Sequence, residues 1–334
     1  MSHEIDMSNA RANIAYVGEM PWHKLGQELP EDADIETWRV AAGMNWEAVA
    51  NPLLWVSPEN GGTLRQVPDR ISLSRSDNNA HLAVVSSAYK VVQPAEVLEF
   101  YRELVDAAGF TLETAGCLFG GRKFWALARI NQNARILDLP QEEMKGYLLL
   151  ATSCDGSLAT TAQFTSIRVV CNNTLGYSIS DGEAGRSTRY LKVPHNRIFD
   201  PEAVKAEMGI AATSWEAFVK RANFLAERKL DRADAIQLLA DAMKVETVDE
   251  ETQEPIDVEA ANRTLKNIIT LFDGAARGAD LPSAKGTAWG LLNAVTEFVD
   301  HHRNTRTPDA RLDSAWFGES ANLKNRVFDL LMAA

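Results

Sequence analysis

Three cysteines in 334 residues, Cys117, Cys154 and Cys171, are too few and too widely spaced for a disulfide framework, and no Cys-x-x-Cys is present to seat a zinc ion. Buried free thiols are the expectation for all three. The chain also lacks any apolar run near the ~20 residues a membrane-spanning helix needs, which argues against a membrane partner. Its 20 glycines and 12 prolines are ordinary, and no simple repeat occurs, so collagen-like, disordered and solenoid architectures fall away. The opening segment MSHEIDMSNARANIAYVGEMPWH carries acids where a secretion signal would be basic and then apolar, so a cytoplasmic location is expected.

Positive charge is scarce as well. Lys and Arg number 34 against 46 Asp and Glu, a net −12. Indiscriminate coating of nucleic acid is therefore disfavoured, because phosphate binding is driven by Lys and Arg displacing counterions. The deficit is uneven. Residues 118–197 hold ten Lys/Arg against six Asp/Glu, while 1–117 hold eight against 17 and 198–334 hold 16 against 23. A positive central block inside an acidic shell fits a local anion or nucleic-acid site, and it fits a solvated sheet face equally.

What is present is apolar matter in regular patterns: 46% of residues are hydrophobic, and the length suggests about two domains. Residues 1–30, with Pro21-Trp22-His23 and Leu25-Gly26, read as an ordered arm. A helix capped by Asp34 runs through Ile35, Trp38, Ala41 and Ala42 to Gly43. Short strands follow at Ala48–Val56, Ile71–Ser74 and Leu82–Val85, then a helix opened by Pro94. Two β-rich runs joined by Gly120-Gly121 predict a hairpin, and further strands fall at Gly146–Ala151, Thr160–Cys171 and Thr188–Val193. From Pro201 the pattern turns helical, at Glu202–Glu227, Arg232–Met243, Glu259–Phe272, Gly286–His302 and Ala321–Met332. The intervening stretch 245–259 holds seven acids and no cation and reads as a linker. The expected class is α+β: a mostly antiparallel sheet core with flanking helices over 31–200, then a helical region over 201–334.

Two segments carry candidate binding residues. On a strand, Lys123, Trp125, Leu127 and Arg129 share one face, with Arg122 beside them, and an indole among cations suits single-stranded nucleic acid, whose bases stack while its phosphates meet Lys and Arg. The same pattern fits a half-buried sheet with Trp125 in its core. Arg168 alternates with Phe164, Ser166 and Val170, so its guanidinium requires a carboxylate such as Asp155, or a phosphate. Arg186, Arg189, Tyr190, Lys192, His195 and Arg197 form a second basic cluster on or near loops.

Enzyme signatures are weak, and neither a cofactor nor a catalytic residue is assigned. Cys154 reads as a buried inert thiol rather than a nucleophile. Gly120-Gly121 lacks the Lys-Ser/Thr of a phosphate loop. On the helix around Trp289–Arg303, Asn293, Glu297, Asp300 and His301 form a polar row. It reads as a solvated face, with cation coordination as the rival reading.

Pro21-Trp22-His23 with Leu25-Gly26, the GGRKFWALARI segment, CDGS at Cys154–Ser157, IRVVCNNTL at Ile167–Leu175 and GTAWGLLNAVTEFVDHHR at Gly286–Arg303 resemble the phage/plasmid-like protein family, also known as domain of unknown function 932. The resemblance implies an origin in phages, plasmids and integrated elements, and no established activity. The reading preferred on these grounds is a non-enzymatic protein that binds or anneals single-stranded nucleic acid, with a homo-oligomer as its expected form. The alternative is a module that engages a host protein through the acidic helical region, with Trp215 and Trp316 exposed. A metal-dependent enzyme built on the polar row is the third.

Overall fold

The computed structural model describes residues 11–18, 26–58, 62–108, 110–168, 173–176, 191–200, 211–249, 253–304, 314 and 318–333. In chain order the elements are β1 (Ile14–Val17), β2 (Gln27–Leu29), α1 (Ile35–Ala41), β3 (Ala48–Val56), β4 (Leu64–Arg75), β5 (His81–Ser86), α2 (Pro94–Ala108), β6 (Thr111–Leu118), β7 (Lys123–Arg135), β8 (Glu143–Ser153), β9 (Thr160–Arg168), β10 (Asn173–Gly176) and β11 (Leu191–Val193). There follow α3 (Ala211–Glu227), α4 (Arg232–Met243), α5 (Val258–Ala261), α6 (Arg263–Thr270), α7 (Ala288–Glu297) and α8 (Glu319–Ala333). One sheet runs β10-β9-β8-β7-β6-β1-β2 with β11 also on β9, and a second is β3-β4-β5. The pairs β1–β6, β6–β7, β9–β10, β9–β11, β3–β4 and β4–β5 are antiparallel, while β1–β2 is parallel. The protein is α+β.

Residues 1–30, expected as an arm, contribute β1 and β2. The run Ile14-Ala15-Tyr16-Val17 is apolar on both faces and buried throughout, which a sheet interior demands and an arm does not.

The chain divides into two compact units: Met1–Asn131 with Tyr147–Phe164 and Thr188–Gly209, and Gln132–Gly146 with Thr165–Ser187 and Ile210–Ala334.

In the first unit, α1 begins where Asp34 accepts the Thr37 N–H at 2.7 Å, as its capping position predicts; the Thr37 side chain first, and this N–H second, lower the Asp34 carboxyl below its ordinary range. Helix α2 buries Val97, Leu98, Phe100 and Tyr101. The Tyr101 hydroxyl lies 2.8 Å from the Ala126 carbonyl and 3.0 Å from that of Leu148, which ties the helix to β7 and β8. The β6–β7 hairpin turns through Phe119–Gly121, with Gly120 and Gly121 at φ 69° and 91°. A Cβ on Gly121 would sit 2.8 Å from the Trp46 ring and 2.9 Å from Arg75 Nη1, so only glycine lets the turn close on that pair.

In the second unit, Thr287 caps α7 by accepting the Gly290 N–H at 3.0 Å, and a Cβ on Gly290 would fall 1.8 Å from the Ala284 carbonyl oxygen. All ten residues of α7 are buried, so it is a core helix rather than an amphipathic surface one. Glu142, fully buried, accepts a hydrogen bond from Ser283. The acidic stretch read as a linker forms, where described, a small bridge of Val248 with Pro255, with Ile256 N–H donating to Thr247 at 2.9 Å. Asp257 then caps α5.

Candidate functional site

The Cys154-Asp155-Gly156-Ser157 sequence forms the loop between β8 and β9, and its chemistry explains its shape. Asp155 Oδ1 accepts the Ser157 N–H at 2.9 Å and the Ser157 hydroxyl at 2.5 Å, the local bond by which aspartate stabilises turns. Gly156 supplies φ 75°. Ser153 Oγ lies 3.0 Å from both the N–H and the carbonyl of Leu158, closing the loop at its base.

Two distant segments meet this loop. The Cys154 N–H donates to the Arg122 carbonyl at 2.8 Å, which places the β6–β7 turn against it. From the other side, His195 Nε2 lies 2.8 Å from the Leu158 carbonyl and its Nδ1 3.1 Å from that of Lys90. The His195 ring stacks on Tyr89 with centroids 4.4 Å apart at 21°, and the Tyr89 hydroxyl donates to the Ser153 carbonyl at 2.8 Å. Lys192 pairs in register with Thr161 of β9, a few residues past the loop. Lys90, Arg122, Lys192 and Arg197 are exposed, and Tyr89 and His195 are half-buried. Lys123 is half-buried, its Nζ 5.6 Å from the Phe119 ring centroid.

The electrostatics keep the loop polar and its thiol inert. Burial raises the Asp155 carboxyl, but hydrogen bonds from Ser157 and Ser153 and the charge of Lys123 outweigh it, so the group is held below its ordinary range. Burial pushes the Cys154 thiol up to about 12, and the Asp155 charge adds to this. A thiol so placed does not supply the thiolate a nucleophile needs. Tyr89 is also raised, first by burial and then by Cys154.

The other candidates are distributed differently. Trp125 is 4% exposed and Leu127 5%, while Phe124 on the opposite face is fully buried, so both faces of β7 are covered and Trp125 is a core residue, not a stacking platform. Arg129 is partly buried. Arg168 pairs through its backbone with Asn173, and its side chain is outside the described residues, as are Arg186, Arg189 and Tyr190 altogether. Trp215, expected exposed, is 4% exposed and lies 5.8 Å from the Phe218 ring; Trp316 is outside the described residues.

The polar row over 293–301, on α7 and the helical turn after it, is likewise corrected, since Asn293, Glu297 and Asp300 are buried rather than solvated. Lys324 Nζ sits 3.0 Å from Asp300, Glu297 accepts the Arg277 N–H at 3.0 Å, and Asn293 donates to the Trp289 carbonyl at 2.8 Å. Each of these groups has its partner inside the fold. Among the described residues no three His, Cys, Asp or Glu are disposed to hold a metal ion, and no described helix is long and apolar enough to cross a membrane.

Sequence reasoning passed over Tyr89 and Lys90. The one local signal was an aromatic beside a cation directly after a strand; their proximity to His195 arises only in three dimensions.

An α+β protein with exposed cations around a self-bonded loop is the class these observations define. A family model described as "Domain of unknown function (DUF932)" matches residues 81–316, more than half of the chain and the segment holding this loop, and the chain belongs to that family. No curated protein and no solved structure matches it.

Proposed function

We propose that this chain is a non-enzymatic, cytoplasmic nucleic-acid-associated protein that holds single strands across the Ser153–Leu158 loop, in the recombination or replication of a phage or plasmid. The observation that carries the reading is convergence. The segment with Arg122 and Lys123 and the segment with Lys192 and Arg197 lie some seventy residues apart in sequence, yet both are hydrogen-bonded to one loop, through Arg122 to Cys154 and through Leu158 to His195. Lys90 adds a fifth cation, and the half-exposed Tyr89–His195 pair offers the aromatic surface that Trp125 does not. Binding of this kind needs no cofactor. Assembly of several copies would multiply a weak site, and the acidic remainder would limit nonspecific adhesion.

Fluorescence anisotropy with a labelled oligothymidine at two salt concentrations tests the reading. Binding weakens steeply with salt, and K90A/R122A/K192A/R197A lowers the log–log slope by about 3, at roughly 0.7 per single-strand phosphate. A variant that keeps wild-type affinity and slope, or a wild-type protein that does not bind, refutes it. A protein-interaction module is the second reading, favoured by the exposed apolar side chains of Leu54, Val56 and Leu64.

A further inference from the structure

The β3–β4 ribbon outruns its sheet. Strand β5 pairs with β4 only over Arg70–Ser74, whereas β3 and β4 stay paired out to Val56 opposite Leu64. Beyond Arg70 the ribbon has, among the described residues, two strands and no third, a geometry that buries neither face well. Trp55 is 44% exposed there, Leu54 51%, Val56 62% and Leu64 61%. Such a concentration of apolar surface on a projecting arm marks a contact surface.

Trp55 lies directly opposite Arg65 in the ladder. Opposed residues share a face, with Cβ atoms about 4.5–5.5 Å apart, so an exposed indole and an exposed guanidinium stand side by side. That couple matches a nucleotide, with a π face for the base and a fork of donors for the phosphate. Arg65 is the cation of the described stretches 53–58 and 62–67, and Asp69 and Arg70 stand together at the root of the ribbon. The arm is also rooted at the loop site. The Asp69 carbonyl accepts the Ser87 N–H at 3.1 Å, and Tyr89, two residues on, donates its N–H to the Ser86 carbonyl at 3.0 Å.

We infer that the β3–β4 arm is a second contact for single-stranded nucleic acid, Trp55 stacking on a base and Arg65 meeting a phosphate, an inference that rests on the function proposed above. The opposite face, with Leu54, Val56 and Leu64, fits a protein partner, and the experiment separates the two.

The test is anisotropy of labelled oligothymidine with full-length W55A, W55F and R65A beside the four-cation variant, with circular dichroism to confirm folding. W55A weakens binding about 5- to 100-fold, the range for loss of one stacked base, and W55F retains most of the affinity. R65A lowers the salt slope by about 0.7. If W55A and R65A bind as wild type while the four-cation variant does not, the arm inference fails and the loop reading survives. If wild type does not bind, both fail. If L54S/V56S splits an oligomer in light scattering while W55A leaves oligonucleotide binding unchanged, the arm is a protein interface and the inference is overturned.

Discussion

The guanidinium carbon of Arg75 lies 4.5 Å above the centroid of the Trp46 indole, and both residues are buried beneath the turn that leads into Arg122. Arg75 also holds Asp77 through two bonds, Nε at 2.9 Å and Nη2 at 2.7 Å, and reaches the Gly120 carbonyl at 3.3 Å. A buried guanidinium is tolerable only with such partners. Replacing Arg75 by Met removes charge-assisted bonds and the stack while preserving most of the volume. The expected loss is about 2–4 kcal/mol in urea unfolding. Gly121→Ala acts on the same contact from above, by strain at φ 91° and by crowding Trp46, and costs about 1–3 kcal/mol. A change below about 0.5 kcal/mol in both would show that the turn is not seated on Arg75.

Asp300 and Lys324 are each below one-tenth exposed and bonded at 3.0 Å. Removing one charge from such a pair strands the other, so Lys324→Met is expected to cost about 3–5 kcal/mol, whereas D300N/K324M costs much less. The double-mutant cycle measured by urea unfolding reports the coupling directly. Additive single effects would dismiss the pair as an energetic unit.

How far the sequence reached can be read from particular residues. Asp34, the strand Ala48–Val56 and the helix Arg232–Met243 were legible because capping and periodicity are local. Trp125 stayed open between core and surface because alternation says which side chains share a face, not whether both faces are covered. The burial of Arg75 has no local sign: the indole it packs against lies 29 positions earlier and the carbonyl that binds it 45 later. The polar row from Asn293 to His301 has the spacing of a solvated face, and what makes it internal, the Arg277 N–H on Glu297 and Lys324 on Asp300, comes from other segments. The meeting of Arg122 with Cys154 and of His195 with Leu158 has no local signature at all. Cation content marked out the block 118–197, and topology alone selected which of its cations are neighbours.

Both ring nitrogens of His195 face main-chain carbonyls, so in the proposed site it positions the loop rather than contacting phosphate. His195→Ala loses these bonds and the stack on Tyr89, an expected cost of about 1–3 kcal/mol. Oligonucleotide affinity should fall while the salt slope stays at the wild-type value, because no phosphate contact is removed. His195→Phe keeps the stack and recovers part of the stability. A slope that drops together with affinity would instead make His195 a direct phosphate contact.

The Cys154 thiol gives the fold an alkaline dependence whose sign is fixed by burial. Its ionisation is pushed from the ordinary 9.0 up to about 12 in the folded chain. Below the ordinary value both states keep the proton and the group contributes nothing to the pH slope. Between about 9 and 12 the unfolded chain binds fewer protons than the folded one, so stability falls as pH rises. Tyr89, also raised, acts in the same direction from its own higher ordinary value, and comparison of wild type with Cys154→Ala isolates the thiol. Urea midpoints at pH 8, 9 and 10 should therefore decline more steeply for wild type than for C154A. Alkylation by iodoacetamide, followed by mass spectrometry, should spare Cys154 until the chain is unfolded, because reactivity follows accessible thiolate. Parallel pH profiles, or labelling of Cys154 in the native protein as fast as in urea, would show that the loop opens enough to hydrate its thiol.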